Sequence, residues 1–155
     1  MLKKWAPYIV SILIALAVGG LGALLTMNSM DIYGELNQPP LSPPAFLFPI
    51  VWSILYTLMG VSSAIIYKSN DLEKNDALKI YAFQLIVNFL WTLIFFNMRQ
   101  FLFSFIWLVL LDILVVVMIV KFYRISPLAG LLQIPYLIWI LFATYLNIGI
   151  YLLNR

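Results

Sequence analysis

Five long apolar runs alternate with short polar segments along the chain. They cover residues 5–27, 46–67, 80–98, 101–120 and 128–153, each 19 to 26 residues long. A helix needs about 17–25 apolar residues to cross a bilayer core, so each run predicts one transmembrane helix. Barrel strands would be about ten residues long and alternating, which these runs are not. With no water in the hydrocarbon, the backbone must satisfy itself, and that forces helix. The fold class read here is an all-α membrane protein, a bundle of five transmembrane helices in one domain spanning residues 1–155. It is a multi-pass protein of the cell membrane. The first run exceeds the h-region of a signal peptide and is expected to stay as the first helix.

Composition sharpens this picture. Hydrophobic residues make up 65% and charged residues 10% of the chain, against about a quarter charged in soluble domains. The basic residues at 3, 4, 68, 74, 79, 121 and 124 fall at one end of a five-helix topology. Only Arg99 and Arg155 fall at the other. The positive-inside rule puts the N-terminus in the cytoplasm and the C-terminus outside. The basic residues sit where topology needs them, so no nucleic-acid footprint is read. There is no cysteine and no histidine. Disulfides, thiolate chemistry, the usual zinc sites and His-ligated haem are excluded by composition, and no metal site is expected.

Residues 28–45 form the first connection. It holds Asp31, Glu35 and prolines at 39, 40, 43 and 44. Paired prolines favour stiff extended or turn geometry. The segment reads either as a helix-breaking connector or as an ordered lid on the outer side. The second connection is charged and reads as a solvated linker.

By depth, Trp91 and Trp139 lie too deep to be interfacial anchors, and Trp52 stands at the borderline. Trp52, Tyr56, Met59 and Ser63 share one face of the second helix. Gln84, Asn88, Trp91 and Phe95 share a face of the third, and Pro135, Trp139, Ala143 and Asn147 a face of the fifth. Trp5, Tyr8, Tyr151 and Trp107 fit an interfacial belt. Asp112 is the acid that interrupts an apolar run, and no Lys, Arg or His lies inside a helix to pair with it. An acid at that depth costs about 2.5–3.5 kcal/mol on insertion scales. A polar-aromatic pocket in the outer half, roofed by residues 28–45, accommodates these features together. Interhelical hydrogen-bond glue accommodates them as well. Small residues at Ala15, Gly19 and Ala23, and at Gly60 and Ala64, form ridges for close helix packing, within one chain or in a homodimer.

These residues resemble the tryptophan-rich sensory protein/translocator protein family (TspO/MBR, also called the peripheral-type benzodiazepine receptor), as a bacterial member. The resemblance rests on the Pro-rich loop leading into Pro43-Pro44-Ala45-Phe46 and on Val51-Trp52-Ser53-Ile54-Leu55-Tyr56. It extends to Gln84, Asn88, Trp91 and Phe95-Phe96, and to Pro135-Tyr136, Trp139, Phe142-Ala143 and Leu146-Asn147. It implies a five-helix bundle, often dimeric, that binds porphyrins such as protoporphyrin IX. Animal members also take cholesterol and isoquinoline or benzodiazepine ligands. The resemblance implies Trp52, Asn88, Trp91, Asp112, Trp139, Ala143 and Asn147 as pocket residues, with Tyr33, Pro43, Pro44 and Phe46 in the lid. The pattern Leu146, Tyr151, Arg155 also fits a sterol-contact motif, which many membrane helices match by chance.

Four functions follow as expectations. The first is a tetrapyrrole receptor or sensor, with protoporphyrin IX as ligand and no tightly bound cofactor. The second is light-dependent protoporphyrin IX degradation, with Trp52 and Trp139 as catalytic residues. The third is a porphyrin or lipid transporter, and the fourth a scaffold working through the charged second connection. The partners expected are an apolar small molecule, the bilayer and a second copy.

Overall fold

The computed structural model describes residues 2–29 and 31–155, apart from the Leu2 side chain. Seven α-helices and no strand occur among the described residues. Helix α1 spans Leu2–Thr26, α3 Leu47–Lys68, α4 Lys74–Thr92 and α5 Phe101–Ile125. A short α2, Ile32–Glu35, sits in the first connection. The fifth apolar run is not one helix. It folds as α6, Pro127–Leu131, and α7, Ile134–Asn154, with a turn between them. Five segments are long and apolar enough to cross a membrane, the last counted as Pro127–Asn154.

Local chemistry explains the departures from the expected boundaries. Pro127 sits at the first position of α6, where a missing N–H costs nothing, and Ser126 accepts a hydrogen bond from Ala129 N at 3.4 Å. Gly130 packs against the Tyr123 backbone, where a Cβ would be 2.9 Å from Tyr123 Cα. Helix α4 begins six residues before its apolar run, because residues 74–79, four of them polar, continue the helix and bury Ala77 in the core. Its far end widens into one π turn, Leu93–Asn97, where Met98 N donates to Leu93 O at 3.1 Å. Arg99 then takes a positive φ of 53° to reverse the chain into α5.

The bundle is apolar outside and partly polar inside. Leu13, Ile54, Ile106, Ile113 and Ile138 are all exposed, as lipid-facing residues should be, while Gln84, Asn88, Gln133 and Asn147 are buried. Met59, Ile66, Leu108, Leu111, Val115, Met118, Phe122 and Ile140 form the apolar core. Helix α1 packs along α3, α4 along α5, and α5 along α7. The small-residue ridges serve contacts within the chain. Gly60 lies on the backbone of Ile12, and the Tyr56 ring lies on Gly19. Lys121 and Asp76 form an ion pair of 2.6 Å between α5 and α4.

The close approach at Gly60 gives a direct test. Gly60→Ala must push α1 away from α3, and overpacking of this kind costs about 1–3 kcal/mol. Gly20 has nothing within 4 Å of an added Cβ. Gly20→Ala should therefore gain about 0.5–1 kcal/mol from helix propensity. Unfolding of both variants in detergent should move in opposite directions; equal shifts would remove the α1–α3 contact as their cause.

Candidate functional site

The site begins with the lid. Helix α2 buries Ile32 and Tyr33. The Tyr33 hydroxyl donates to Pro43 O at 2.8 Å, and Gln38 Nε2 donates to Tyr33 O at 2.6 Å. Burial pushes the Tyr33 phenol above its ordinary pKa, partly offset by Ser42, so it stays the protonated donor of this bond. Proline supplies carbonyls but no N–H, so the strap needs side-chain donors. Tyr145 gives one to Pro40 O at 2.6 Å. Asn154 bonds both backbone groups of Asn37, accepting from its N–H at 3.0 Å and donating to its carbonyl at 2.8 Å. Gly149 leaves the room that Pro39 fills.

Under this strap lies a cavity of about 220 Å³. Tyr33 and Ala45 contribute from the lid side, Trp52 and Tyr56 from α3, Asn88 and Trp91 from α4, and Phe95 from the π turn that follows it. Trp139, Ala143 and Asn147 come from α7, and Val18, Gly19, Gly22 and Ala23 from α1. The structure thus brings seven of the expected residues together: Tyr33, Trp52, Asn88, Trp91, Trp139, Ala143 and Asn147. Four lie outside the lining. Pro43 is used as an acceptor by Tyr33. Pro44 and Phe46 are exposed. Asp112 is the fourth. It accepts a hydrogen bond from Thr144 at 2.7 Å and joins α5 to α7 away from the cavity. Its depth was legible in the sequence, but its rotational position on α5 was not.

The polar groups of the cavity divide into two kinds. Asn88 and Asn147 are committed to the scaffold. Asn88 donates to the Tyr136 hydroxyl at 2.8 Å, which donates to Gln84 Oε1 at 2.7 Å, and the Tyr56 hydroxyl donates to Asn88 Oδ1 at 3.4 Å. Asn147 accepts from the Trp91 indole at 3.0 Å and donates to Phe101 O at 2.8 Å, tying α4, α7 and α5. By contrast, the indole N–H groups of Trp52 and Trp139 have no hydrogen-bond partner among the described residues. Trp107, expected at the interface, instead donates to Val87 O at 2.8 Å between α5 and α4.

The lining carries no Asp, Glu, Lys, Arg or His. Such a site can bury a flat apolar ring between aromatic walls and offer it indole donors. The sequence reading missed Phe48, Phe89 and the small α1 residues as lining. Gly19, Gly22 and Ala23 provide space where the aromatic walls need it. Their pairing with deep aromatics on other helices was the available clue.

The fold and site define a multi-pass membrane protein with a lidded, aromatic, uncharged cavity inside a five-span bundle. The TspO/MBR family profile matches residues 11–153. The chain is similar to the tryptophan-rich protein TspO of Archaeoglobus fulgidus, 38% identical over 94% of this chain and 95% of that one. It is 33% identical to the tryptophan-rich sensory protein of Cereibacter sphaeroides, over 99% and 95% of the two chains. It is 32% identical to the translocator protein of Bos taurus, over 95% and 89%. The chain belongs to the TspO/MBR family.

The cross-links predict their own cost. Asn147→Leu strands the Trp91 N–H, and a buried group left unpaired costs about 1–3 kcal/mol. It also removes one bond to the Phe101 carbonyl, which keeps the Ser104 hydroxyl as donor at 3.0 Å. Thermal unfolding in detergent should fall accordingly. A variant as stable as the parent would show that Asn147 does not hold the three helices together.

Proposed function

We propose that this protein is a membrane receptor or sensor for a flat, apolar ring ligand, of which metal-free protoporphyrin IX fits the cavity chemistry best. The observation that carries this reading is the pair Trp52 and Trp139. They come from different helices, line one cavity, and keep their indole N–H groups uncommitted. An aromatic macrocycle gains apolar burial and ring contacts there, and isoquinoline carboxamide or benzodiazepine-type ligands share that chemistry. The carboxylate edge of a porphyrin would stay outside the lining, which has no cation to receive it. The names of two relatives, a sensory protein and a translocator protein, are in keeping with a receptor or sensor role. At about 220 Å³ the cavity is smaller than the roughly 300–1,000 Å³ of ordinary ligand pockets. A tetrapyrrole therefore requires the walls to yield.

An absorbance titration of protoporphyrin IX into the purified protein tests this. Saturable binding is expected, weakened about tenfold in the Trp52→Phe, Trp139→Phe double variant, the size of two lost indole contacts. No saturable binding, or unaltered binding in the double variant, would overturn the reading.

The same two indoles favour a second reading, light-dependent degradation of the bound porphyrin with dioxygen as oxidant. Illumination should then give a protein-dependent product band. The double variant should lose that band while retaining part of its binding. Equal product with and without the two tryptophans would remove their catalytic role.

A further inference from the structure

The walls of the cavity are not equally closed. Gly60 sits on the backbone of Ile12, sealing α1 against α3. Asn97 Nδ2 donates to Leu25 O at 3.0 Å, tying the end of α4 to α1. Trp107 bonds Val87 O across α5 and α4, and Thr144 bonds Asp112 across α7 and α5. The strap is fastened to α7 through Asn37, Asn154 and Tyr145.

The seam between α3 and α7 has none of these ties. The two helices do not pack closely along their length. No hydrogen bond joins α3 to α7 among the described residues; the polar tie between these two spans lies beyond the seam, where Ser62 Oγ of α3 donates to Ala129 O of α6 at 2.7 Å. Ring contacts bridge them instead, Phe48 to Trp139 at 5.9 Å and Trp52 to Tyr136 at 6.2 Å between centroids. Separating these rings breaks no polar bond, so the seam can part in hydrocarbon at less cost than any hydrogen-bonded seam.

A second hollow, of about 520 Å³, lies on this seam. Val51, Ile54 and Leu55 line it from α3, and Pro135, Ile138 and Phe142 from α7. Ile54 is 56% and Ile138 63% exposed, on spans whose exposed faces meet lipid. Trp139 lines both this groove and the inner cavity. One indole therefore stands between a membrane-facing groove and the proposed binding site.

We propose that the α3–α7 seam is a lateral portal by which an apolar ring ligand passes between the bilayer and the cavity, with Trp139 as its gate. This rests on the ligand reading above. The occupant of the groove is a molecule dissolved in the hydrocarbon, because the lining is apolar apart from the Trp139 indole N–H and lies on two membrane-spanning helices. The gate acts by moving its ring out of the partition. Trp139 is free to do so because its N–H is not committed elsewhere, unlike those of Trp91 and Trp107.

The test uses the full chain in nanodiscs, with two readouts. The first is independent of any ligand. Lipids brominated in mid-chain should quench the share of tryptophan emission that is lost on Trp139→Phe. Filling the groove with Ile54→Phe and Ile138→Phe should protect that share. The second readout is the kinetics of protoporphyrin IX binding. A filled portal should slow association and dissociation by the same factor, about tenfold for a modest added barrier, with Kd held within about twofold. Each substitution alone should give a smaller slowing of the same kind, which keeps the test open if the double variant folds poorly. Asn154→Ala, which unfastens the strap, should leave both rates within about twofold of the parent. Faster rates in Asn154→Ala with unchanged rates in the filled groove would overturn the portal in favour of passage under the strap. An unquenched Trp139 would overturn it whatever binds. Quenching of Trp139 without saturable porphyrin binding would support the portal and overturn only the ligand assignment.

Discussion

Hydrocarbon offers no hydrogen-bond partner, and the structure of this protein follows from that deficit. Helix formation satisfies the backbone within each span. The polar side chains in the spans must then find one another, and each one that does becomes a bolt between helices. Asn147 joins three helices through two bonds, and the Tyr136 hydroxyl links Gln84 and Asn88 of α4 to α7. Apolar side chains cannot do this, because lipid tails contact them as well as a neighbouring helix does. Position in the bundle is thus set by a few polar residues and by small residues that let backbones touch.

The same constraint shapes the site. Polar groups spent on bolting leave the cavity walls aromatic and uncharged, with Trp52 and Trp139 keeping unspent donors. A site of this composition discriminates by shape and ring contact rather than by charge. It also makes the α3–α7 boundary distinct, since that boundary carries rings and no bolts. Rigid frame and yielding seam come from one distribution of hydrogen bonds. The strap has the same origin. Its prolines remove donors, so the side chains of Tyr33, Tyr145 and Asn154 supply them to the strap's carbonyls.

The sequence by itself determined the five spans, the fold class and four of the nine aromatic residues of the lining, Tyr33, Trp52, Trp91 and Trp139. Length and apolarity suffice for a span, because a bilayer fixes how long an apolar helix must be. Helical spacing grouped Asn88 with Trp91, and Trp139 with Ala143 and Asn147, because side chains three and four apart share a face. Only the tertiary structure decided which way those faces turn. Asp112 has the depth of a pocket residue, yet its helix presents it to Thr144. Gly19 and Ala23 read as packing residues, yet they line the cavity as well. The split of the fifth span into α6 and α7 also escaped the apolar pattern. Gln133 in the turn is fully buried and Leu132 is half-buried, so the turn sits within the apolar run and hydropathy does not mark it. Rotation about a helix axis and the openness of a seam depend on contacts between segments distant in the chain, and a one-dimensional pattern carries depth but not those contacts.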